Sequence, residues 1–220
     1  MPIEKIILGV DPGTLHMGYG LIKSEGQKLS LICLGTVHLN KYENQQLKLQ
    51  KIFEKITALI EEYKPDECAV ECPFYGDNAQ SMLKLGRAQG VAMVAALMKG
   101  IPVEEYYPKS IKQSVVGNGN ASKEQVAAML KSLFKMDELP KSMDATDALS
   151  VAVCHHFRTM NTITKSNKYS GWGDFLKQND GKIKKVVVSC WVVGCSLLGV
   201  RCLEHQWNSI SELKIVNRNS

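Results

Sequence analysis

The chain has 220 residues, 45% of them apolar and 22% charged, with a formal net charge of +5. That composition excludes a disordered, collagenous or disulfide-dependent chain, because there is enough apolar mass to close a core without staples. The mild positive charge permits a nucleic-acid partner without requiring one.

The first predicted element is a strand over 5–11, an apolar run from Ile6 to Val10 that ends on Asp11 and meets a Pro12-Gly13 turn. Segments 18–25 and 28–39 are β-rich and joined through Gly26, so an antiparallel meander of three strands is expected. Leu47, Leu49, Ile52, Phe53, Ile56, Leu59 and Ile60 recur at helical spacing over 45–63, and Pro65 follows. "ECAVEC" (67–72) reads as a short buried strand, 79–100 as a long Ala- and Met-rich helix, and 102–108 as a strand. A Gly/Asn turn at 117–121 feeds a helix to 134, with Ser122 and Gln125 in a capping-box pattern. A last amphipathic helix is predicted over 142–157. The order β-β-β-α-β-α-β-α-α fits a mixed α/β sheet with helices on its faces.

Composition changes near residue 158, so 1–158 is expected to form one domain and 159–220 a tail with an atypical end after 185. The uncharged run 186–200 has 15 residues, short of the roughly 20 that a membrane span needs. Seven cysteines, at 33, 68, 72, 154, 190, 195 and 202, lack the repeated CxxC spacing of a zinc site. Cys68, Cys72 and Cys154 read as small buried hydrophobes. The opening stretch has no basic region followed by a small-residue cleavage site, and a reducing, cytoplasmic setting is expected.

Four acids stand out by position. Asp11 and Glu71 end predicted strands, and Asp144 and Asp147, three apart, share a helix face. Oxygen ligands so placed suit Mg²⁺. Two such ions, about 3.5–4 Å apart, activate a water and stabilise the leaving oxygen of a phosphodiester. Taken singly the acids have plainer readings: Asp11 as a turn residue, Glu71 as a solvated strand end, Asp144 as a helix N-cap.

"GVDPGTLHMGYGLI", "AVECPFYGDNAQSMLKLGRAQGV", "IKQSVVGNGNASKEQV" and "DATDALSVAVCHH" occur in this order and together resemble the RuvC family of bacterial Holliday junction resolvases, through nearly all of 5–157. The resemblance implies a ribonuclease-H-like fold and a homodimer that nicks four-way DNA junctions with Mg²⁺, Mn²⁺ being a candidate substitute. It implies association with the RuvA–RuvB branch-migration complex. Asp11, Glu71, Asp144 and Asp147 fall at the family's metal-binding acids. Lys112 and Lys123 fall at its phosphate-contacting lysines, and Phe74 at an aromatic that stacks on a junction base. The turn before Lys123 also reads as a source of free N–H groups for an anion. His155 and His156 are expected as helix-end cations complementing the dipole. The small and flexible residues Ala79, Met82, Gly86, Ala88, Gly90, Ala92 and Met93 are expected at the dimer contact, where the family has its interface. A non-catalytic junction-binding protein, another nuclease of the same fold and an actin-like ATPase are the alternatives. The last would need further Gly-rich phosphate segments.

Overall fold

The computed structural model describes residues 4–73, 78–138 and 142–164. Among these, the strands are β1 (Glu4–Asp11), β2 (His16–Glu25), β3 (Lys28–His38), β4 (Glu67–Glu71) and β5 (Val103–Tyr106). The helices are α1 (Gln45–Tyr63), α2 (Ala79–Leu97), α3 (Pro108–Val116), α4 (Lys123–Phe134) and α5 (Met143–Thr164). The strands form one mixed sheet of order β3-β2-β1-β4-β5. β1, β2 and β3 are the expected antiparallel meander, while β4 runs parallel to β1 and β5 parallel to β4.

β1 does not alternate apolar with polar, because it is central and covered on both faces. Leu8 and Val10 join the core under α1 and α2, with Ile52, Ile56, Ala88 and Ala92. Ile7 faces the other core with Ile111, Val126, Leu149 and Val153 of α3, α4 and α5.

Glycine decides how closely α5 approaches the sheet. A Cβ on Gly9 would stand 2.3 Å from the Ala148 carbonyl oxygen, and one on Gly18 only 1.9 Å from that of Asp144. Backbone, not a flexible tip, is what it would strike, so α5 must move. Gly18→Ala is therefore expected to destabilise the fold by about 1–3 kcal/mol, the usual overpacking cost. Thermal unfolding with a melting point equal to wild type would contradict this.

The periodicity reading missed α3. Its nine residues start with Pro108 at the first helical position and stop at Gly117, whose φ is +81°. A helix that short shows only about two and a half turns of pattern. The final helix also runs past the predicted end at 157, to Thr164. Its polar residues bond back to the helix: the Thr159 hydroxyl lies 3.0 Å from the carbonyls of both His155 and His156. Residues 165–220, most of the predicted tail, lie outside the described residues, as does Phe74.

His155 and His156 do not lie at a helix end. They are 2% and 3% exposed, well inside α5, and each is bonded. Nε2 of His155 is 2.8 Å from Glu67 Oε2 and its Nδ1 is 2.9 Å from the Tyr106 hydroxyl. His156 Nδ1 is 2.9 Å from the Ser24 hydroxyl. Together they pin α5 to β4, β5 and β2. Burial, with His155 alongside, holds the His156 imidazole below its ordinary pKa.

The dimer-helix expectation also changes. Ala88 and Ala92 are fully buried in the core beneath α2. The exposed side of that helix carries Leu83 (60%), Val94 (49%) and Leu97 (54%), with Gly86 on the same side and Gly90 beside it, half-buried. Cys68, Cys72 and Cys154 are buried and free, as their apolar surroundings suggested.

Candidate active site

Parallel pairing aligns Val10 with Val70, so Asp11 and Glu71, one residue on, finish neighbouring strands at the same edge of the sheet. α5 crosses that edge. Asp144 lies in its first turn and Asp147 one turn later, and the helix is seated there by the side-chain-free Gly18, which pairs with Asp11. The structure thus brings acids from three distant places in the sequence to one end of the sheet.

Their electrostatics reflect it. Burial pushes the Asp11 carboxyl up to about 7, and the charges of Asp147 and Asp144 push the same way against Lys123. Burial pushes Glu71 up to about 8, helped by Asp11 and Asp147 and opposed by Lys123 and Lys112. Crowded carboxylates that resist ionisation lack positive charge. An all-oxygen donor set at such a place fits a hard divalent cation. Among the described residues no three His, Cys, Asp or Glu side chains yet converge as an ion's ligands. Asp147 is drawn to Lys123, with Nζ to Oδ2 at 2.5 Å, and Asp144 accepts from the Ser142 hydroxyl at 3.2 Å. Asp144 is therefore not the N-cap of α5, since Met143 already precedes it in the helix.

This sets a pH dependence. Asp11 and Glu71 have folded pKa values above their unfolded ones, so their protonation favours the fold at low pH. That contribution is lost as pH rises through about 7 and about 8. The metal-free protein should lose stability over that window, and a bound divalent cation should restore it. Mg²⁺ is expected to raise the melting temperature more near pH 8 than near pH 5.5, by about 2–4 °C per kcal/mol restored. Equal Mg²⁺ shifts at both pH values in a melting experiment would refute this account. The comparison is made with and without Mg²⁺ at each pH because His156 opposes it. His156 has a depressed folded pKa, and its contribution is lost as pH falls.

Lys112 on α3 and Lys123 at the start of α4 both border the acids, as their influence on Glu71 records. The anion cradle expected in the Gly/Asn turn is largely closed. Gly119 N–H donates to Gln113 Oε1 and Asn120 N–H to Asn118 Oδ1. Ser122 and Gln125 use each other's N–H groups in a full capping box. A small cleft beside Asp11 and Glu71 is lined further by Cys72, Leu85, Gln89 and Pro108. Gln89 was not foreseen. It is 8% exposed and donates to Glu105, 2.5 Å away. A polar residue inside the buried Ala88–Ala92 stripe was its available signal. His16, 4.0 Å from Asp144, and Thr36, 2.6 Å from the Ser142 hydroxyl, were also missed.

The meander, the parallel strands added to it and the acids at the shared edge place the molecule among the ribonuclease-H-like nucleases. Known proteins narrow that class to one family. The model of the family described as crossover junction endodeoxyribonuclease RuvC matches residues 7–155, and the chain belongs to the RuvC family. It is 60% identical over 184 residues to crossover junction endodeoxyribonuclease RuvC of Cytophaga hutchinsonii, spanning 84% of this chain and 90% of that protein. The corresponding protein of Christiangramia forsetii is 56% identical over 182 residues, 82% of this chain and 94% of its own. Thermus thermophilus RuvC, solved in complex with Holliday junction substrate, matches with a TM-score of 0.68 at 30% identity, over 72% of this chain and 96% of that one.

Proposed function

We propose that this chain is a Mg²⁺-dependent endodeoxyribonuclease that resolves four-way DNA junctions in recombination and repair by paired, symmetric nicks. The observation that carries the reading is the convergence of Asp11, Glu71, Asp144 and Asp147 at one sheet edge in a member of this family. These four would hold the metal, two ions per site, with Mn²⁺ as a substitute. When bound, the metal supplies a water activated at neutral pH and charge stabilisation for the leaving oxygen.

The chain's own residues do the rest. Asp11 and Glu71, fixed on rigid strands, set the donor spacing, and the α5 acids complete it from the facing side. Lys112 holds a backbone phosphate of the substrate. Phe74, which follows Glu71 closely, stacks on a base at the junction centre, contributing about 1–3 kcal/mol. The segment that ends with α5 at Thr164, rather than at 158, is the catalytic domain. Two copies act together, joined through the exposed side of α2, so that two related strands are cut by two sites. Action in the cytoplasm beside RuvA and RuvB rests on family membership. No described helix is long and apolar enough to cross a membrane.

The decisive experiment offers the purified protein a mobile four-way junction and a linear duplex of the same sequence, with Mg²⁺. Symmetric nicks on the junction alone are expected, and equal cutting of both substrates would defeat the proposal. Lys112→Ala should lower the slope of log affinity against log salt by about 0.9, the share of one lost phosphate contact. An unchanged slope would make Lys112 an ordinary surface charge.

A further inference from the structure

Lys123 is the first residue of α4, and the Ser122–Gln125 capping box fixes where that helix begins. From there its side chain does not reach out toward solvent phosphate. It turns inward and pairs with Asp147. Its reach extends beyond that partner, because its charge bears on both Asp11 and Glu71, whereas that of Lys112 bears on Glu71. The side chain of Lys123 is 59% exposed and that of Asp147 only 18%, so the ammonium enters the cluster from the open side.

We infer that Lys123 is the resident counter-cation of the acid cluster: its ammonium holds Asp147 in the metal-free protein, and a divalent cation must displace it to bind. The inference rests on the metal-dependent reading above and adds a competitor to it. Carboxylates buried together and left ionised are stabilised by positive charge placed among them. One ammonium supplies a single charge through a flexible, largely exposed stem that can swing away. A divalent ion supplies twice the charge and coordinates the oxygens directly. Displacement would leave the Asp147 carboxylate free to turn toward the ion. It also frees a cation at the substrate-facing edge. A static surface ion pair would do neither, and such a pair contributes little.

The test is Mg²⁺ binding to the full, DNA-free protein near pH 8, followed by calorimetry. Lys123→Met keeps the length and removes the charge. It should bind Mg²⁺ about five- to tenfold more tightly than wild type, a coupling of ordinary size between two ligands. Its metal-free form should melt below metal-free wild type. Lys131→Met, an exposed change in the last turn of α4, should match wild type in both respects. Equal or weaker Mg²⁺ binding by Lys123→Met would overturn the inference and leave the metal site standing. No binding by any of the proteins would sink both. A measurement on the wild type covers the case in which Lys123→Met fails to fold. With lysines carrying ¹³C-dimethyl labels, the Lys123 signal, assigned by its loss in Lys123→Arg, should move in step with Mg²⁺ saturation. A signal that stays still would overturn the inference.

Discussion

Asp11→Asn is expected to abolish junction cleavage while leaving junction binding intact or tighter. Asparagine keeps the shape of the side chain at the end of β1 and removes the charge. Even partners one step removed from a metal typically matter by about 10–100-fold, so losing a direct ligand should slow nicking by more than about a hundredfold. Binding should survive because the substrate's phosphates repel the acid cluster, and one fewer negative charge weakens that repulsion. The variant should also melt above wild type when Mg²⁺ is chelated at pH 8. Wild-type Asp11 is ionised there against burial and against the charges of Asp147 and Asp144. Nicking within tenfold of wild type would remove Asp11 from the list of ligands. A lower melting point without Mg²⁺ would show that its charge serves the fold instead.

Val94→Glu should convert a dimer that cuts both strands of a junction into a monomer that nicks them independently. Val94 stands on the exposed side of α2 between Leu83 and Leu97, apolar side chains that a monomer would leave in water. A Cβ at Gly86 or Gly90 meets nothing within 4 Å in this single chain, which leaves room for a second helix to approach closely. A charge buried at the centre of such a contact has no partner and would cost several kcal/mol, enough to dissociate a standard interface. The fold itself should be unaffected, because this side of α2 contributes nothing to the core. Met82, chosen on composition alone, is a poorer site for the charge because it is half-buried in the single chain. Sedimentation gives the mass, and a supercoiled cruciform plasmid separates paired from single incision. A variant that keeps the mass of a dimer and the paired cuts would place the interface elsewhere. Wild-type protein that stays monomeric at micromolar concentration with junction DNA bound would dispose of the dimer altogether.

Much of this molecule was legible in one dimension. The meander, α1, β4 and the capping box of α4 are written in local signals: alternation, helical periodicity, Pro65, and the Ser122–Gln125 pair. Local chemistry acts over a few residues, so a chain states such elements wherever they stand. The four acids were visible as well, through their places at predicted strand ends and on one helix face. Their convergence was not, because it depends on β4 pairing parallel to β1 and on α5 lying close over Gly9 and Gly18. Contacts between residues so far apart leave no period in the sequence.

The errors have the same origin. His155 and His156 looked like the end of a helix, and instead they are buried cross-links, because Glu67, Tyr106 and Ser24 arrive from three different strands. The last turns of α5 looked like a tail, since composition cannot register hydroxyls that bond back to the helix. The turn before Lys123 looked like an anion cradle, but the N–H groups of Gly119, Asn120, Ser122 and Gln125 meet side-chain acceptors that the folded backbone brings to them. Sequence alone singled out the four acids and determined which short segments hold their shape. Tertiary structure decided where each charge finds its counter-charge, because Coulomb energy and burial depend on distance in space, to which separation along the chain is a poor guide.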